Sequence, residues 1–203
     1  DVCSFKMKSP ALSKQVAVTP CHLVSPLVEL FLHSDANEID VSRYSDKLFH
    51  QLSNITIHNI ESIKRIRNKL QLKEQQLTPL GLVHGDFKPW NILPTSPIVF
   101  FDFEEVVFDG LPLEDLLNYI IDPDIRYQSS KEIASVVFQE KNVSAYINYL
   151  GLLNINIDFK FFLYFYLLAR VAFWASRNQA DTAKCYLDLL LFIDQSENAI
   201  NVS

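Results

Sequence analysis

The sequence predicts an α+β fold that is mostly helical and contains one small β-hairpin. Apolar residues recur at spacings of three and four through residues 40–77 and again through residues 131–153, which is the period of an amphipathic helix. Residues 161–175 form the most apolar run and predict a buried core helix. Residues 92–101 instead hold two short apolar runs around a Pro-Thr-Ser-Pro turn, which predicts a hairpin.

The other elements follow from breaks in these patterns. Residues 23–32 read as a short apolar helix or strand, with Pro26 near its start. Residues 113–121 read as a helix, and Pro123 lies just beyond the point where it ends. Residues 179–193 predict a final amphipathic helix, and we expect the polar residues after it to be frayed.

Length and composition describe a globular protein. The 203 residues fit one domain, or one domain and a small appendage, and suffice for a substantial core. Hydrophobic residues make up 49% and charged residues 21% of the chain, which excludes a disordered protein. The net charge of −6 offers no electrostatic footprint for nucleic acid or an anionic membrane, so we expect neither as a partner.

The cysteines and the apolar run bear on location. Cys3, Cys21 and Cys185 lie far apart and match no metal or redox spacing, which favours reduced thiols and a cytoplasmic protein. The run at 161–175 contains Arg170 and is shorter than the roughly 18 apolar residues of a membrane span, so we expect no span. No feature of the sequence sets an oligomeric state.

The predicted hairpin brings three oxygen-bearing side chains together. The chain enters this region through the link at residues 78–81, and residues 92–93 and 98–101 then form short buried strands. At about 3.3 Å per residue, Asn91 before the first strand and Asp102 after the second reach the same open end of the hairpin. Asp86 lies in the loop that leads into that end.

This set of groups suits phosphoryl transfer. Mg²⁺ prefers oxygen ligands and few protein groups, because water and substrate phosphates fill its other positions, and Asn91 and Asp102 fit that role. A carboxylate near the metal but not bound to it can accept the proton of an attacking hydroxyl, and Asp86 fits that role. The blander interpretation is a hairpin whose Asp and Asn residues only cap turns.

The two motifs resemble a known family. His84-Gly85-Asp86 followed by Asn91, and then Asp102-Phe103-Glu104, is similar to the catalytic signature of the aminoglycoside phosphotransferase and choline kinase family, which has a protein-kinase-like fold. The resemblance implies a kinase that uses ATP and Mg²⁺ and phosphorylates a hydroxyl of a small molecule. It implies these roles for individual residues: Asp86 the catalytic base, Asn91 and Asp102 the metal ligands, Lys88 a contact to the transferred phosphate, His84 an orienting residue, and Asp115 the anchor of the catalytic loop.

Two departures from the protein kinases favour a small-molecule kinase. Gly85 stands where protein kinases usually have Arg, and Glu104 replaces the Gly of Asp-Phe-Gly. Few residues separate Asp102 from the cluster at Gly110, which leaves no room for a long regulatory loop. A metal-dependent hydrolase is a weaker alternative, because it explains neither the Asn spacing nor Lys88.

The expected domain organisation is a kinase-like C-terminal lobe with little before it. The chain has four glycines and the first is Gly81, so no Gly-rich phosphate loop precedes the catalytic loop and the N-terminal lobe is absent or vestigial. Residues 1–35, with a candidate strand at 15–18, would be a hinge or remnant of that lobe, and 36–203 the C-terminal lobe. The opening Asp1 is compatible with a piece of a longer protein. A catalytically inactive binding or scaffolding module is therefore the alternative function.

The sequence does not identify the molecule that would accept the phosphate. A cationic aminoglycoside would need an acidic pocket, to which Glu114, Asp122 and Asp124 could contribute, although such residues more often lie on the surface. Choline would need an aromatic cage, and a sugar or an amino-alcohol is equally compatible with the motifs. The aromatic candidates for a cage, which are more often core residues, are Trp90, Trp174, Tyr164 and Tyr166.

Overall fold

Helices make up most of the fold. The computed structural model describes residues 18–33, 38–53, 60–71 and 77–200, and every statement about structure refers to these ranges. The helices are α1 (Pro20–Phe31), α2 (Val41–Ser53), α3 (Ile60–Gln71), α4 (Glu114–Ile121), α5 (Ser130–Val137), α6 (Glu140–Leu152), α7 (Phe159–Ser176) and α8 (Ala180–Ile200).

The strands are short. Within the described residues they form three antiparallel pairs, in which β1 joins β2, β3 joins β6, and β4 joins β5. Their bounds are Glu38–Asp40 for β1, Leu77–Pro79 for β2, Gly81–Val83 for β3, Ile92–Leu93 for β4, Val99–Phe100 for β5 and Val107–Gly110 for β6. The predicted class, mostly helical with small antiparallel sheets, is confirmed.

Several element boundaries differ from the sequence-based expectations. Residues 131–153 form two helices, because the helical conformation is interrupted at Phe138 and Gln139. The first of them, α5, begins after Ser129, which caps it with a capping box. The link at 78–81 belongs to β2 and β3, and α8 continues seven residues beyond the expected end at 193. Residues 23–32 are helical, with Pro26 inside α1 and Pro20 in its first turn.

The residues before 18 and the segment 34–37 lie outside the described ranges. The candidate strand at 15–18 falls there except for Val18, which is not in a strand. The division of the chain at residue 35 stays a prediction. What the structure does describe of this region is α1, which packs against α6, α4 and β3.

Helix α7 lies at the centre of the core. It packs against α8, α2, α4 and α6. By length and composition it is the one described helix that could cross a membrane, but 67% of it is buried inside the fold. Burial of this extent is typical of the core helix of a globular domain, which agrees with the prediction for the apolar run at 161–175.

The buried cation of this helix has a buried partner. The guanidinium of Arg170 donates to Asp122 at 2.7 Å, and the two side chains are 7% and 3% exposed. The hydroxyl of Tyr186 from α8 also donates to the Asp122 carboxylate. The guanidinium lies 4.8 Å from the centre of the Phe173 ring, so charge and aromatic contacts both hold it in place.

Breaking this pair should strongly destabilise the fold. Arg170→Met keeps an apolar stem but leaves the buried Asp122 carboxylate without its cation, so we expect the free energy of unfolding to fall by about 3–5 kcal/mol. Urea denaturation measures this change. As a control, Lys184→Met removes the exposed pair that Lys184 forms with Asp188, and no measurable change is expected. Equal effects of the two substitutions would mean that the buried pair stabilises the fold no more than the exposed one.

Candidate active site

One carboxylate of α4 holds the loop that follows β3. Asp115 accepts hydrogen bonds from the backbone N–H of His84 at 2.7 Å and of Gly85 at 3.0 Å, and it is 5% exposed. Burial raises the pKa of Asp115 to about 7, while the two N–H donors act in the opposite direction. Two successive backbone donors are therefore fixed by a single side chain in the first turn of a helix.

Gly85, in the loop after β3, lies in close contact with the segment that follows Asp102. Its φ of +79° is in the left-handed region, which glycine adopts without the penalty of a Cβ atom. A Cβ atom built there would lie 2.0 Å from the carbonyl oxygen of Glu105. A side chain at position 85 is thus excluded by the segment that follows Asp102, which explains why the Arg of protein kinases has no counterpart here.

His84 joins the same loop to the hairpin. Its Nε2 lies 2.7 Å from the carbonyl oxygen of Phe101, and because a carbonyl only accepts, Nε2 carries the proton. The ring is fully buried, and it packs against Phe103 at 4.5 Å and Phe87 at 5.6 Å between ring centres. His84 therefore fixes the strand end that immediately precedes Asp102.

The hairpin register places Asn91 opposite Phe101, one residue before Asp102. Ile92 pairs with Phe100, and the next N–H along, that of Phe101, donates to the carbonyl oxygen of Asn91 at 3.2 Å. Asp102 follows with a φ of +68°, a strained conformation for a non-glycine residue and one that is common at functional sites.

The amide of Asn91 connects the hairpin to the loop of Asp86. Asn91 is 2% exposed, and its Nδ2 donates to the backbone carbonyl oxygen of Asp86 at 2.9 Å. Because the nitrogen makes this contact, the amide oxygen is the atom that Asn91 can offer to a cation. The sequence predicts buried strands for this hairpin, but Leu93, Val99 and Phe101 are 40–47% exposed, so only one of its faces packs on the core.

Asp86 and Lys88 form an ion pair at the open side of the loop. Their side chains are 31% and 18% exposed, so both reach solvent. The ammonium of Lys88 also lies 5.8 Å from the centre of the Trp90 ring. The loop thus presents a carboxylate and a cation together, and Asn91 is joined to the backbone of the same loop.

The oxygen donors present suit a metal that needs few protein ligands. Among the residues described, no group of three His, Cys, Asp or Glu side chains could hold an ion. Mg²⁺ in nucleotide sites takes one or two protein oxygen ligands and fills its other positions with water and phosphate. An amide oxygen from Asn91 and a carboxylate from Asp102 fit that requirement.

A cleft of about 670 Å³ opens between α2 and α7. Its floor includes β6, whose Val107 pairs with Val83 just before the catalytic loop. Its lining combines three charged residues, Lys47, Asp109 and Glu114, with aromatic rings and the small side chains of α7. The cleft is large enough for a small molecule.

Two ionisable groups that line this cleft have raised pKa values. Burial raises the pKa of Glu114 to about 7, and the neighbouring charge of Asp115 acts in the same direction, while Arg170 lowers it. Burial and the carboxylates of Glu114 and Asp109 raise the pKa of Tyr44 well above its usual value, so its hydroxyl stays protonated.

The residues expected to form an acceptor pocket are only partly brought together. Glu114 lines the cleft, but Asp122 is buried in the core, where it forms an ion pair with Arg170. Tyr164 and Tyr166 are 6% and 3% exposed, so they are core residues, as such rings more often are, and are not available for an open aromatic cage. The aromatic residues that do line the cleft are Tyr44 and Phe173, which no motif singled out.

A family comparison agrees with the geometry. The model of the phosphotransferase enzyme family matches residues 21–132, more than half of the chain. The chain belongs to the phosphotransferase enzyme family. The resemblance to aminoglycoside phosphotransferases and choline kinases is thereby confirmed at the level of the family. Comparison with curated proteins and with solved structures gave no match.

Sequence reasoning missed one contact that holds the segment after Asp102 in this phosphotransferase. Arg177, at the end of α7, donates two hydrogen bonds to the carboxylate of Glu105, at 3.0 and 2.9 Å. Its guanidinium also lies 4.0 Å from the centre of the Phe173 ring. The two residues are 72 positions apart, and no motif includes Arg177, so the sequence carries no signal for this pair.

Replacing Gly85 tests whether stability depends on the close approach of Glu105 to Gly85. Gly85→Ala should destabilise the phosphotransferase by at least about 1–3 kcal/mol, because the Cβ atom opposes a positive φ and meets the Glu105 oxygen. Gly151→Ala is the matched control, because nothing lies within 4 Å of its added Cβ and alanine favours a helix. Thermal unfolding of both variants decides the matter, and equal melting temperatures would contradict the prediction.

Proposed function

We propose that this phosphotransferase is a kinase that transfers the γ-phosphoryl group of ATP to a hydroxyl of a small molecule. The observation that carries the proposal is that two contacts of Asn91, one to the backbone of Asp86 and one to the N–H of Phe101, join the loop of Asp86 to the hairpin end that precedes Asp102. Membership of the phosphotransferase family supports the reaction class.

Two residues of the chain would hold the metal and nucleotide together. When bound, Mg²⁺ neutralises charge on the phosphate oxygens. The Asn91 amide oxygen and the Asp102 carboxylate would be the ligands, and the hairpin register and the contact of Asn91 with Asp86 fix the backbone from which they extend. Lys88 adds a cation at the same side, where it can contact the transferred phosphate in exchange for its pairing with Asp86.

Asp86 would orient the acceptor hydroxyl and accept its proton. Its side chain is partly exposed, so a substrate can reach it, while its backbone is fixed through Asn91. In phosphoryl transfer most of the rate gain comes from positioning and charge neutralisation, and the carboxylate contributes by aligning the attacking oxygen.

The cleft between α2 and α7 is the proposed acceptor site, and its charge favours a cationic molecule. Asp109 and Glu114 face Lys47 in the lining, so one negative charge is left over when both carboxylates are ionised. A hydroxyl-bearing amine would supply the missing positive charge, and Phe173 and Tyr44 offer ring surface to its apolar part. We therefore favour an amino sugar or an amino-alcohol over a neutral sugar.

Two substitutions separate the proposed roles. Asp86→Asn should reduce phosphate transfer to kanamycin, choline or another hydroxylated amine by at least about 10²-fold while leaving Mg²⁺–ATP binding intact. Asp102→Ala should instead weaken Mg²⁺–ATP binding itself. Transfer of labelled phosphate measures the first effect, and thermal stabilisation by Mg²⁺–ATP measures the second. An Asp86→Asn variant as fast as the parent would refute the assignment of the base.

The charge of Glu114 should make binding of a cationic acceptor depend on pH. Because the pKa of Glu114 is about 7, the carboxylate ionises between about pH 6 and 8, and KM for a quaternary ammonium acceptor should fall roughly fivefold over that range, the size of a modest ion pair. Steady-state kinetics at each pH measure this.

Glu114→Gln is the control for that dependence, and stability gives an independent readout. The variant should show a smaller fall in KM between about pH 6 and 8 than the parent, because of the two carboxyl groups with a pKa of about 7 only Asp115 still ionises there. In the parent the folded pKa of Glu114 exceeds its usual value, so its contribution to stability is complete below about pH 4.5 and is lost as the pH rises through about 7. The free energy of unfolding should therefore decline less with pH in Glu114→Gln. A KM that falls equally in both proteins would argue against a cation in the cleft.

A further inference from the structure

Helices α4 and α7 face each other through a ladder of buried polar groups. Asn118 and Asp122 are four residues apart at α4, and Tyr166 and Arg170 are four residues apart on α7, so each pair lies on one helix face. The Tyr166 hydroxyl lies 2.9 Å from Asn118 Oδ1 and 2.8 Å from Asp122 Oδ1. Arg170 and Asp122 form the next rung at 2.7 Å.

The Asn118 end of this ladder contacts the loop that carries Asp86. Asn118 is fully buried, and its Nδ2 donates to the carbonyl oxygen of Gly85 at 3.1 Å. Asp115, three residues earlier on the same face of α4, holds the N–H of Gly85. Both backbone groups of Gly85 are therefore fixed by side chains of α4.

Fixing the Gly85 carbonyl also fixes the start of the next residue. The carbonyl of Gly85 and the N–H of Asp86 belong to one planar peptide unit, so the direction of the carbonyl sets the direction in which the chain enters Asp86. Gly85 has no side chain and a positive φ, and its own preferences would leave this peptide free to rotate. Asn118 removes that freedom.

Tyr166 determines which way the Asn118 amide points. The Gly85 oxygen only accepts, so the NH₂ group must face it and Oδ1 must face the other side. The Tyr166 hydroxyl is the donor on that side, and its single proton lies between two acceptors, Asn118 Oδ1 and Asp122 Oδ1. Burial raises the pKa of Tyr166 well above its usual value, so the proton that it donates is always present.

We propose that Asn118 and Tyr166 are positioning residues of the active site, and that the ladder between α4 and α7 sets the orientation of the peptide that carries Asp86. The catalytic consequence rests on the function proposed for Asp86. The structural part rests on the contacts alone, and the two parts can be tested separately.

Hydrogen exchange tests the structural part in the full chain. Tyr166→Phe removes the donor, so amide exchange in the peptide that spans residues 84–91 should be about fivefold faster, the factor that corresponds to one hydrogen bond. Tyr146→Phe is the matched control. Tyr146 is equally buried, and its hydroxyl has no hydrogen-bond partner among the described residues. Unchanged exchange in Tyr166→Phe, or an equal increase in Tyr146→Phe, would overturn the proposal.

Kinetics test the catalytic part. With Mg²⁺–ATP and an accepted hydroxylated amine, Tyr166→Phe should lower kcat about tenfold or more, with both KM values within about twofold of the parent. In an Asp86→Asn background the same substitution should have almost no further effect, because the residue it positions no longer acts. A loss of folded protein would lower both backgrounds equally, and that result would overturn the positioning role.

A second variant covers failure of the first to fold. Asn118→Asp keeps the size of the side chain but sets an acceptor against the Gly85 oxygen, and it should give the same faster exchange at residues 84–91. If the parent transfers phosphate to no acceptor, the proposed function fails, while the exchange experiment still decides whether Tyr166 positions the loop.

Discussion

The candidate active site depends on the pair of hydrogen bonds that the Asp115 carboxylate accepts from two consecutive backbone N–H groups. These bonds fix the end of β3 to the first turn of α4 and determine where the loop of Asp86 begins. The other contacts of the site extend from this point: His84 fixes the hairpin end, Asn91 fixes the backbone of Asp86, and Gly85 leaves room for the segment after Asp102. Each of these hydrogen bonds joins one side chain, from Asp115, His84 or Asn91, to a backbone group.

The elements that the sequence predicted well are those with a strong periodic or turn signal. The helices around α2, α3, α4 and α7 repeat their apolar residues often enough to be recognised, and the turn at 94–97 specifies the hairpin. Strands β1, β2 and β6 were missed because three or four residues carry too little alternation to distinguish a strand from a loop. The break in residues 131–153 was missed because the apolar spacing continues across it.

The residues of the candidate site also fall into two groups, those that a local sequence pattern proposes and those that only the packing of helices brings together. Asp86, Asn91 and Asp102 could be found because the fixed spacing of a motif and the geometry of a hairpin are both local in sequence. Asn118, Tyr166 and Arg177 act through contacts between residues 33 to 72 positions apart, which only the packing of helices creates. Asp122 is a further case. It was one of three carboxylates that could contribute to an acidic pocket, and in the fold it neutralises Arg170 inside the core.

The small side chains along one face of α7 separate two properties of the phosphotransferase. Ala169, Ala172 and Ala175 line the cleft, whereas the residues that would hold metal and nucleotide lie on the loop and the hairpin. With the acceptor placed in the cleft, one larger residue at any of these three positions would narrow the space without touching the transfer machinery. Acceptor range can therefore diverge among related chains by substitutions on a rigid helix, while the chemistry stays the same.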